Sequence, residues 1–567
     1  MRRTLALVTL LGLAVAASSL GGFPPAAAVG EAQEYLVLYR PGTTSVADGR
    51  RAISEAGGTV VKENPAVGLA TVTAASPTFL ADVAGKPGVQ GAARNRPIGF
   101  APPANRPKVD PVESPDDVAV ESQARPVTGG ALTAAVAGAE PLAHLQWNMA
   151  MVRATATESH AVERGDKRVL VGIMDTGIDG SHPDLAPNFS RELSRNFTTD
   201  VPDADGPCEE EPDQSCSDPS DVDENGHGTH VAGIVGAAIN GLGMAGVAPN
   251  VTLVNLRAGQ DSSFFFLQST VDALTYAADS GIDVVNMSFF TDPWLFNCQA
   301  HPDDSPAEQL EQRTIISATQ RAIDYAHGRN VTLVAALGNQ LTDLGHPTLD
   351  FISPGYPLDM TKTREVDNSC ITVPAESNHV ISVSALGPTM VKADYSNYGI
   401  EQTDLSAPGG YLRDRRDTPD FRSPANMILS AYPASLAAEN RDIDVDGVPT
   451  NTSTVRDCQN GVCAYYRYIQ GTSMAAPHVT GTAGLIVSKF KVPDRRLGGL
   501  MFPPVSMETV LKATAWDRPC PEPRLFRYNP ERPSIADALC EGTPAFNGFY
   551  GHGVVDALAA VTMRPRR

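Results

Sequence analysis

The sequence predicts an α/β layer fold with a mostly parallel central sheet, preceded by a small α+β unit. Two observations carry this prediction. From about Leu142 to Val561, apolar strand-like runs alternate with amphipathic helical patterns, the order that builds a parallel sheet covered by helices. Ahead of them, residues 33–100 hold a compact set of shorter elements, set off by a Pro- and Ala-rich stretch.

The elements follow in order. Arg2 and Arg3 precede the apolar stretch Thr4–Leu20 and the small residues Ala26-Ala27-Ala28. Basic, then apolar, then small is the order of a secretory signal, so 1–28 reads as a signal peptide, with earlier alanines as competing cleavage sites. The apolar run is short for a span of about 20 residues, and no later segment is long and apolar enough to cross a bilayer. A secreted, extracellular protein with no membrane span in its mature form is expected.

In 33–100, Glu34–Arg40 reads as a strand, Val46–Ala56 as a helix, and Thr59–Val61 with Gly68–Thr73 as a strand pair. A helix over Ser76–Gly85 and a strand at Val89–Ala93 complete a β-α-β-β-α-β order, the ferredoxin-like arrangement. Residues 101–141 are rich in Pro, Ala and acidic residues and read as a linker open to cutting. In 142–562, Val169–Met174, Val251–Leu256, Val284–Met287 and Val331–Ala336 are the strand-like runs. Thr229–Ile239, Leu267–Asp279 and Ile316–His327 are helical patterns between them.

Composition narrows the function. Among 567 residues there are 44 Lys and Arg against 65 Asp and Glu, a net charge of −21, which disfavours nucleic acid as a partner. The eight cysteines agree with an oxidising destination. Their pairing is open in principle; short loops suggest Cys208–Cys216, Cys458–Cys463 and Cys520–Cys540, leaving Cys298–Cys370. No CxxC pair suggests a zinc ribbon.

Three segments carry chemistry. Ser473 lies in Gly471-Thr-Ser-Met-Ala-Ala-Pro-His-Val-Thr-Gly481, after strand-like Tyr465–Ile469 and before an Ala-rich helix. A serine at a helix start has an N–H unpaired within the helix, where the dipole favours developing negative charge. Alone, such a segment is most often a helix cap. A base is needed to activate the hydroxyl, and His227 in Asn225-Gly-His-Gly-Thr-His230 offers one at the mouth of another helix. The rival reading of His227 and His230 as zinc ligands lacks an HExxH pattern or a third close ligand. Asp175 follows the apolar run Val169–Met174, where a buried carboxylate can hold an imidazole tautomer. Other motifs fail: Gly241-Leu-Gly-Met-Ala-Gly246 follows a helix where dinucleotide binding needs a strand, and Asp279-Ser-Gly, a partner for Asp175-Thr-Gly in an aspartic-protease reading, only closes a helix. His182 and His478 read as packing or hydrogen-bonding residues.

The segments around Asp175, His227 and Ser473, in that order, resemble those of the subtilisin-like serine proteases, the subtilases. Val284-Val-Asn-Met-Ser288, Val334-Ala-Ala-Leu-Gly-Asn339, Asp404-Leu-Ser-Ala-Pro-Gly409 and Gly551-His-Gly-Val-Val-Asp556 extend the resemblance over most of 145–562. It implies a subtilisin-like three-layer peptidase domain over 142–562, with insertions near 200–224, 291–313 and 411–465. It implies a serine endopeptidase with Asp175, His227 and Ser473 as the triad, and Asn339 with the Ser473 N–H as the oxyanion hole. Ser288, Phe289, Phe290, Ala336 and Gly338 are then groove residues, Phe289-Phe290 standing where many relatives have smaller ones. The 33–100 unit resembles the family's inhibitory propeptide, an intramolecular partner beside polypeptide substrates. No organic cofactor is implied; a structural calcium is, on Asp184, Asn240 and the carbonyls of Ala238, Leu242 and Met244. A monomer is expected. The acidic stretch Asp200–Glu224 is read first as a solvated loop stapled by Cys208–Cys216, with attraction of cations as the alternative. A catalytically silent subtilase-fold binding protein, its groove blocked at Phe289-Phe290, is the competing function.

Overall fold

The computed structural model describes residues 32–42, 45–100, 138–210, 214–289, 293–355, 361–528, 532 and 534–563. The expected signal segment 1–28, most of the linker 101–141, the start of the 291–313 insertion and Phe290 lie outside the described residues.

The N-terminal unit runs Gln33–Tyr39 (strand), Ser45–Glu55 (helix), Thr59–Asn64 and Leu69–Ala74 (strands), Phe79–Ala84 (helix) and Val89–Arg94 (strand). Its four strands form an antiparallel sheet with Gln33–Tyr39 between Leu69–Ala74 and Val89–Arg94. Side chains alternate across a strand, and Gln33–Tyr39 uses both faces. Tyr35, Val37 and Tyr39 join Ile53, Val72, Phe79 and Val83 in the unit's own core. Leu36 and Leu38 instead pack with Val271, Ile315, Ala318 and Ala322 of the larger unit. The helix expected from Ser76 forms only from Phe79.

In the larger unit seven strands lie side by side: Leu405–Pro408, Val380–Leu386, Thr332–Ala336, Val284–Met287, Leu170–Met174, Thr252–Arg257 and Arg195–Asn196. Every pairing among them is parallel. Such strands are covered on both faces, which is why they read as unbroken apolar runs. Val284 and Val334 face the layer holding helices His227–Gly236 and Thr472–Phe490. Val285, Leu333 and Ala335 face helices Leu267–Asp279 and Pro306–His327. Helix, sheet and helix make the three layers expected.

The helix expected from Ile316 begins ten residues earlier, inside the expected 291–313 insertion. Ser305 caps it, accepting from the Glu308 N–H while the Glu308 carboxylate accepts from the Ser305 N–H, and Pro306 takes the first turn, where no amide is needed. The 411–465 insertion contributes Ile428–Ala431 and Thr454–Gln459, which flank Val462–Ile469 in an antiparallel sheet leading to Ser473. The three disulfides suggested by short loops, Cys208–Cys216, Cys458–Cys463 and Cys520–Cys540, are present, and so is the remaining pair, Cys298–Cys370. Among the described residues, no helix is long and apolar enough to cross a membrane.

Candidate active site

Three neighbouring parallel strands end at one edge of the sheet, followed by Asp175, Ser288 and Leu337-Gly338-Asn339. The carboxyl ends of parallel strands are where open α/β sheets place their sites. Asp175 is fully buried; its Oδ1 accepts from the Thr176 N–H at 2.8 Å and from His227 Nδ1–H at 2.7 Å.

His227 opens the helix His227–Gly236. The following Gly228 is what lets this helix reach the strand end: a Cβ there would lie 2.1 Å from the Gly177 oxygen and 3.0 Å from the Asp175 Cβ. Asp223 fixes the helix start. Its Oδ2 accepts from the Thr229 N–H (2.9 Å) and hydroxyl (2.5 Å), and its Oδ1 from the Gly226 N–H (2.9 Å) and the Thr176 hydroxyl (3.1 Å). A carboxylate in that position satisfies helix-end amides and complements the dipole.

Ser473 is the second residue of helix Thr472–Phe490. Its carbonyl accepts from the Ser288 hydroxyl at 2.8 Å, and that hydroxyl accepts from Asn286 Nδ2 at 2.7 Å. The Ser473 hydroxyl donates to the Ser288 carbonyl at 3.1 Å. Among the described residues, His227 Nε2 has no hydrogen-bond partner. Asn339 is oriented by its Oδ1, which accepts from the Thr472 N–H and hydroxyl, both at 2.9 Å. A Cβ built on Gly471 would lie 3.5 Å from Asn339 Nδ2 and 3.6 Å from the Ser473 nitrogen, so two donors flank one small space.

The remaining sequence-predicted residues sort as follows. Phe289 is buried and stacks on Phe265, ring centroids 4.1 Å apart, in the core. Phe265 belongs to the strand that pairs with Pro97–Phe100, so the Phe289 ring packs directly behind that sheet edge. Ser288, Ala336 and Gly338 are buried at the strand ends. Among the strands the sequence reading did not name is Phe264–Phe266, which pairs antiparallel with Pro97–Phe100. Three successive aromatics ahead of an amphipathic helix were its signal.

His230 is a structural residue, its Nε2 2.9 Å from the Arg467 carbonyl and 3.1 Å from that of Ile428. His182 Nε2 lies 3.0 Å from the Tyr465 carbonyl. His478 Nδ1 donates to the Met474 carbonyl (2.8 Å), which leaves Nε2 to accept from Asn148 Nδ2 (2.9 Å). Burial lowers the His478 imidazole to about 4, so it is neutral around pH 7.

The solvated reading of Asp200–Glu224 needs correcting. Asp200, Asp218 and Asp223 are buried, and Asp218 and Asp261 pair with the fully buried Arg257 at 2.5 and 2.8 Å. The interior Arg257 guanidinium draws Asp218 and Asp261 inward, but its single positive charge offsets only part of the negative charge that Asp200, Asp218 and Asp261 gather there.

Asp184, Asn240 and the 238–244 loop come together. Asp184 Oδ2 accepts from the Tyr466 hydroxyl (2.7 Å) and the Met244 N–H (3.1 Å), and Asn240 Nδ2 donates to Oδ1 (3.2 Å). Burial pushes the Asp184 carboxyl up to about 7. Glu140, which the sequence reading did not include, joins the cluster by accepting from the Gly241 N–H at 2.8 Å, and burial raises its carboxyl too.

A family model described as Subtilase family matches residues 166–553. Subtilisin DY of Bacillus licheniformis is 28% identical over 324 residues, 57% of this chain and 77% of that protein. The nisin leader peptide-processing serine protease NisP of Lactococcus lactis subsp. lactis is 30% identical over 352 residues. That match covers 62% of this chain and 44% of NisP, less than half the relative's length. The crystal structure of the epidermin leader peptide processing serine protease EpiP from Staphylococcus aureus superposes with a TM-score of 0.61 at 20% identity, over 95% of this chain and 100% of that one, a likeness of fold. The chain belongs to the subtilase family of serine-type endopeptidases.

Proposed function

We propose that the chain is a secreted endopeptidase, made as an inhibited precursor, that cuts polypeptides through Ser473, His227 and Asp175. The observation that carries this reading is the buried 2.7 Å Asp175–His227 hydrogen bond at the same sheet edge as two donors flanking Gly471.

The chemistry follows from the groups. Asp175 holds the His227 proton on Nδ1, which leaves Nε2 free to act as base. The Ser473 hydroxyl turns from the Ser288 carbonyl to Nε2, gives up its proton and attacks the scissile carbonyl. The carbonyl oxygen becomes an anion between the Ser473 N–H and Asn339 Nδ2–H. His227 then protonates the leaving amine, and water, activated by the same imidazole, releases the acyl group from Ser473. Asn339→Ala removes one of the two oxyanion donors and is expected to lower kcat by about 10²–10³-fold with little change in KM. Steady-state kinetics on a peptide substrate checks this; an unchanged kcat defeats the oxyanion assignment.

The N-terminal unit acts as propeptide in this reading. Leu36 and Leu38 pack on the helical layer, and Pro97–Phe100 adds a strand beside Phe264–Phe266, as an extended peptide adds to a sheet edge. Release requires a cut within 94–145. The 1–28 signal and four disulfides support export to an oxidising compartment.

A structural calcium suits the Asp184 cluster. Asp184 and Glu140 are buried carboxylates. Among the described residues, the carbonyls of Ala238, Leu242 and Met244 accept no backbone hydrogen bond. These are hard-oxygen donors of the kind calcium takes, with Asn240 Oδ1 beside them. The ion would tie the 238–244 loop to the Asp184 turn and take no part in the reaction. At a hundredfold excess over Kd it would stabilise the fold by about 3 kcal/mol. A chelator is therefore expected to lower Tm, reversed by added calcium; a Tm indifferent to both rules the site out.

A further inference from the structure

Arg96 immediately precedes the strand Pro97–Phe100, and its guanidinium grips the Glu311 carboxylate: Nε donates to Oε1 at 2.8 Å and Nη2 to Oε2. Glu311 sits in the second turn of helix Pro306–His327, in the segment expected from sequence to be an insertion. The carboxylate is also held by Trp294, whose indole N–H donates to Oε2 at 3.1 Å. Trp294 is fully buried, with the Arg364 guanidinium 4.7 Å over its ring. Side-chain exposure is 14% for Arg96 and 6% for Glu311, so this is a two-pronged ion pair largely removed from water, not a loose surface contact.

The strand that Arg96 introduces occupies the edge at Phe264–Phe266, in the backbone register Pro97↔Phe266, Gly99↔Phe265 and Phe100↔Phe264. A peptide bound along that edge in the same direction and register brings the residue one position before its paired segment to the place Arg96 now fills. Once the N-terminal unit leaves, Glu311 stands at that end of the groove as an oriented negative charge with its cationic partner gone.

We propose that Glu311 is a specificity-determining residue: it selects a basic side chain, arginine above all, in the substrate position immediately N-terminal to the segment paired with Phe264–Phe266. The inference rests on the endopeptidase reading above, and it goes further by assigning a substrate class. Trp294 is its positioning partner, holding the carboxylate for a planar guanidinium; the single point charge of lysine matches the two prongs less well.

The test uses the mature enzyme and synthetic peptides of residues 93–104, with Arg96 or with Arg96→Ala, Arg96→Lys and Arg96→Glu, reading kcat/KM for cleavage C-terminal to the 97–100 segment. Casein serves as a second substrate. Loss of a charge-assisted pair is expected to lower kcat/KM about 10- to 100-fold for the Ala peptide, with Lys between and Glu lowest. Glu311→Gln keeps an oxygen for Trp294 and is expected to erase most of the ratio between Arg and Ala peptides. Glu311→Arg is expected to favour the Arg96→Glu peptide over the native one. A ratio within one enzyme does not move when folding is merely impaired. Equal cleavage of the Arg and Ala peptides by the wild-type enzyme overturns the inference and leaves the endopeptidase reading intact. Failure to cleave casein and every peptide overturns that reading, and the inference with it.

Discussion

Ser473→Ala is expected to lower kcat by about 10⁶-fold, the scale of losing a serine-protease nucleophile. The size follows from how the site is divided. Asn339 and the Ser473 N–H survive the change, so the oxyanion space beside Gly471 is retained. What disappears is the covalent step, and no neighbouring hydroxyl replaces it: the Ser288 hydroxyl is committed to the Ser473 carbonyl at 2.8 Å. The fold should be unaffected, because among the described residues the Ser473 side chain makes one hydrogen bond, to the Ser288 carbonyl. If maturation is the enzyme's own work, the variant accumulates as a chain still carrying residues 33–100. Gel analysis from a protease-free host checks this; normal processing of the variant there defeats the prediction.

Asp175→Asn is the second large effect, about 10⁴-fold in kcat with little loss of structure. The carboxylate accepts from His227 Nδ1–H at 2.7 Å and from the Thr176 N–H at 2.8 Å. An amide can keep the second bond through its oxygen. Its NH₂ then faces His227, Nδ1 must accept, and the ring proton moves to Nε2, the nitrogen that has to receive the serine proton. The variant should also lose the counter-charge for the imidazolium formed during attack. Kinetics beside a circular dichroism spectrum separates this from misfolding; wild-type kcat in a folded Asp175→Asn protein contradicts the assigned role.

Much of this architecture was legible in the sequence because its strands are buried on both faces. Val284–Met287 reads as a strand from four residues and forms over the same four, since only a covered strand can be apolar without alternation. The placement of Asp175 after a strand and of His227 and Ser473 at helix starts was legible because such ends impose recognisable punctuation, glycine above all. The failures have one physical source: composition does not say which way a side chain turns. Asp223 lies in a stretch that looked like a solvated acidic loop, yet it is buried because helix-start amides and the Thr229 hydroxyl take up its oxygens. Phe289 stacks on Phe265, in the strand that pairs with Pro97–Phe100, a contact no local pattern reports. Glu311 stood inside a presumed insertion, where the Ser305-Pro-Ala-Glu308 cap was the overlooked sign that a helix had already begun. Its partner Arg96 is 215 residues away, a separation no local pattern reports.

The most direct measurement is mass spectrometry of the protein, freed of residues 33–100, after exposure to a fluorophosphonate that reacts only with an activated serine. One adduct per chain is expected, on Ser473, and it should be lost when His227 is replaced by alanine. A folded protein that never takes the label, or one that takes it equally well without His227, contradicts the account.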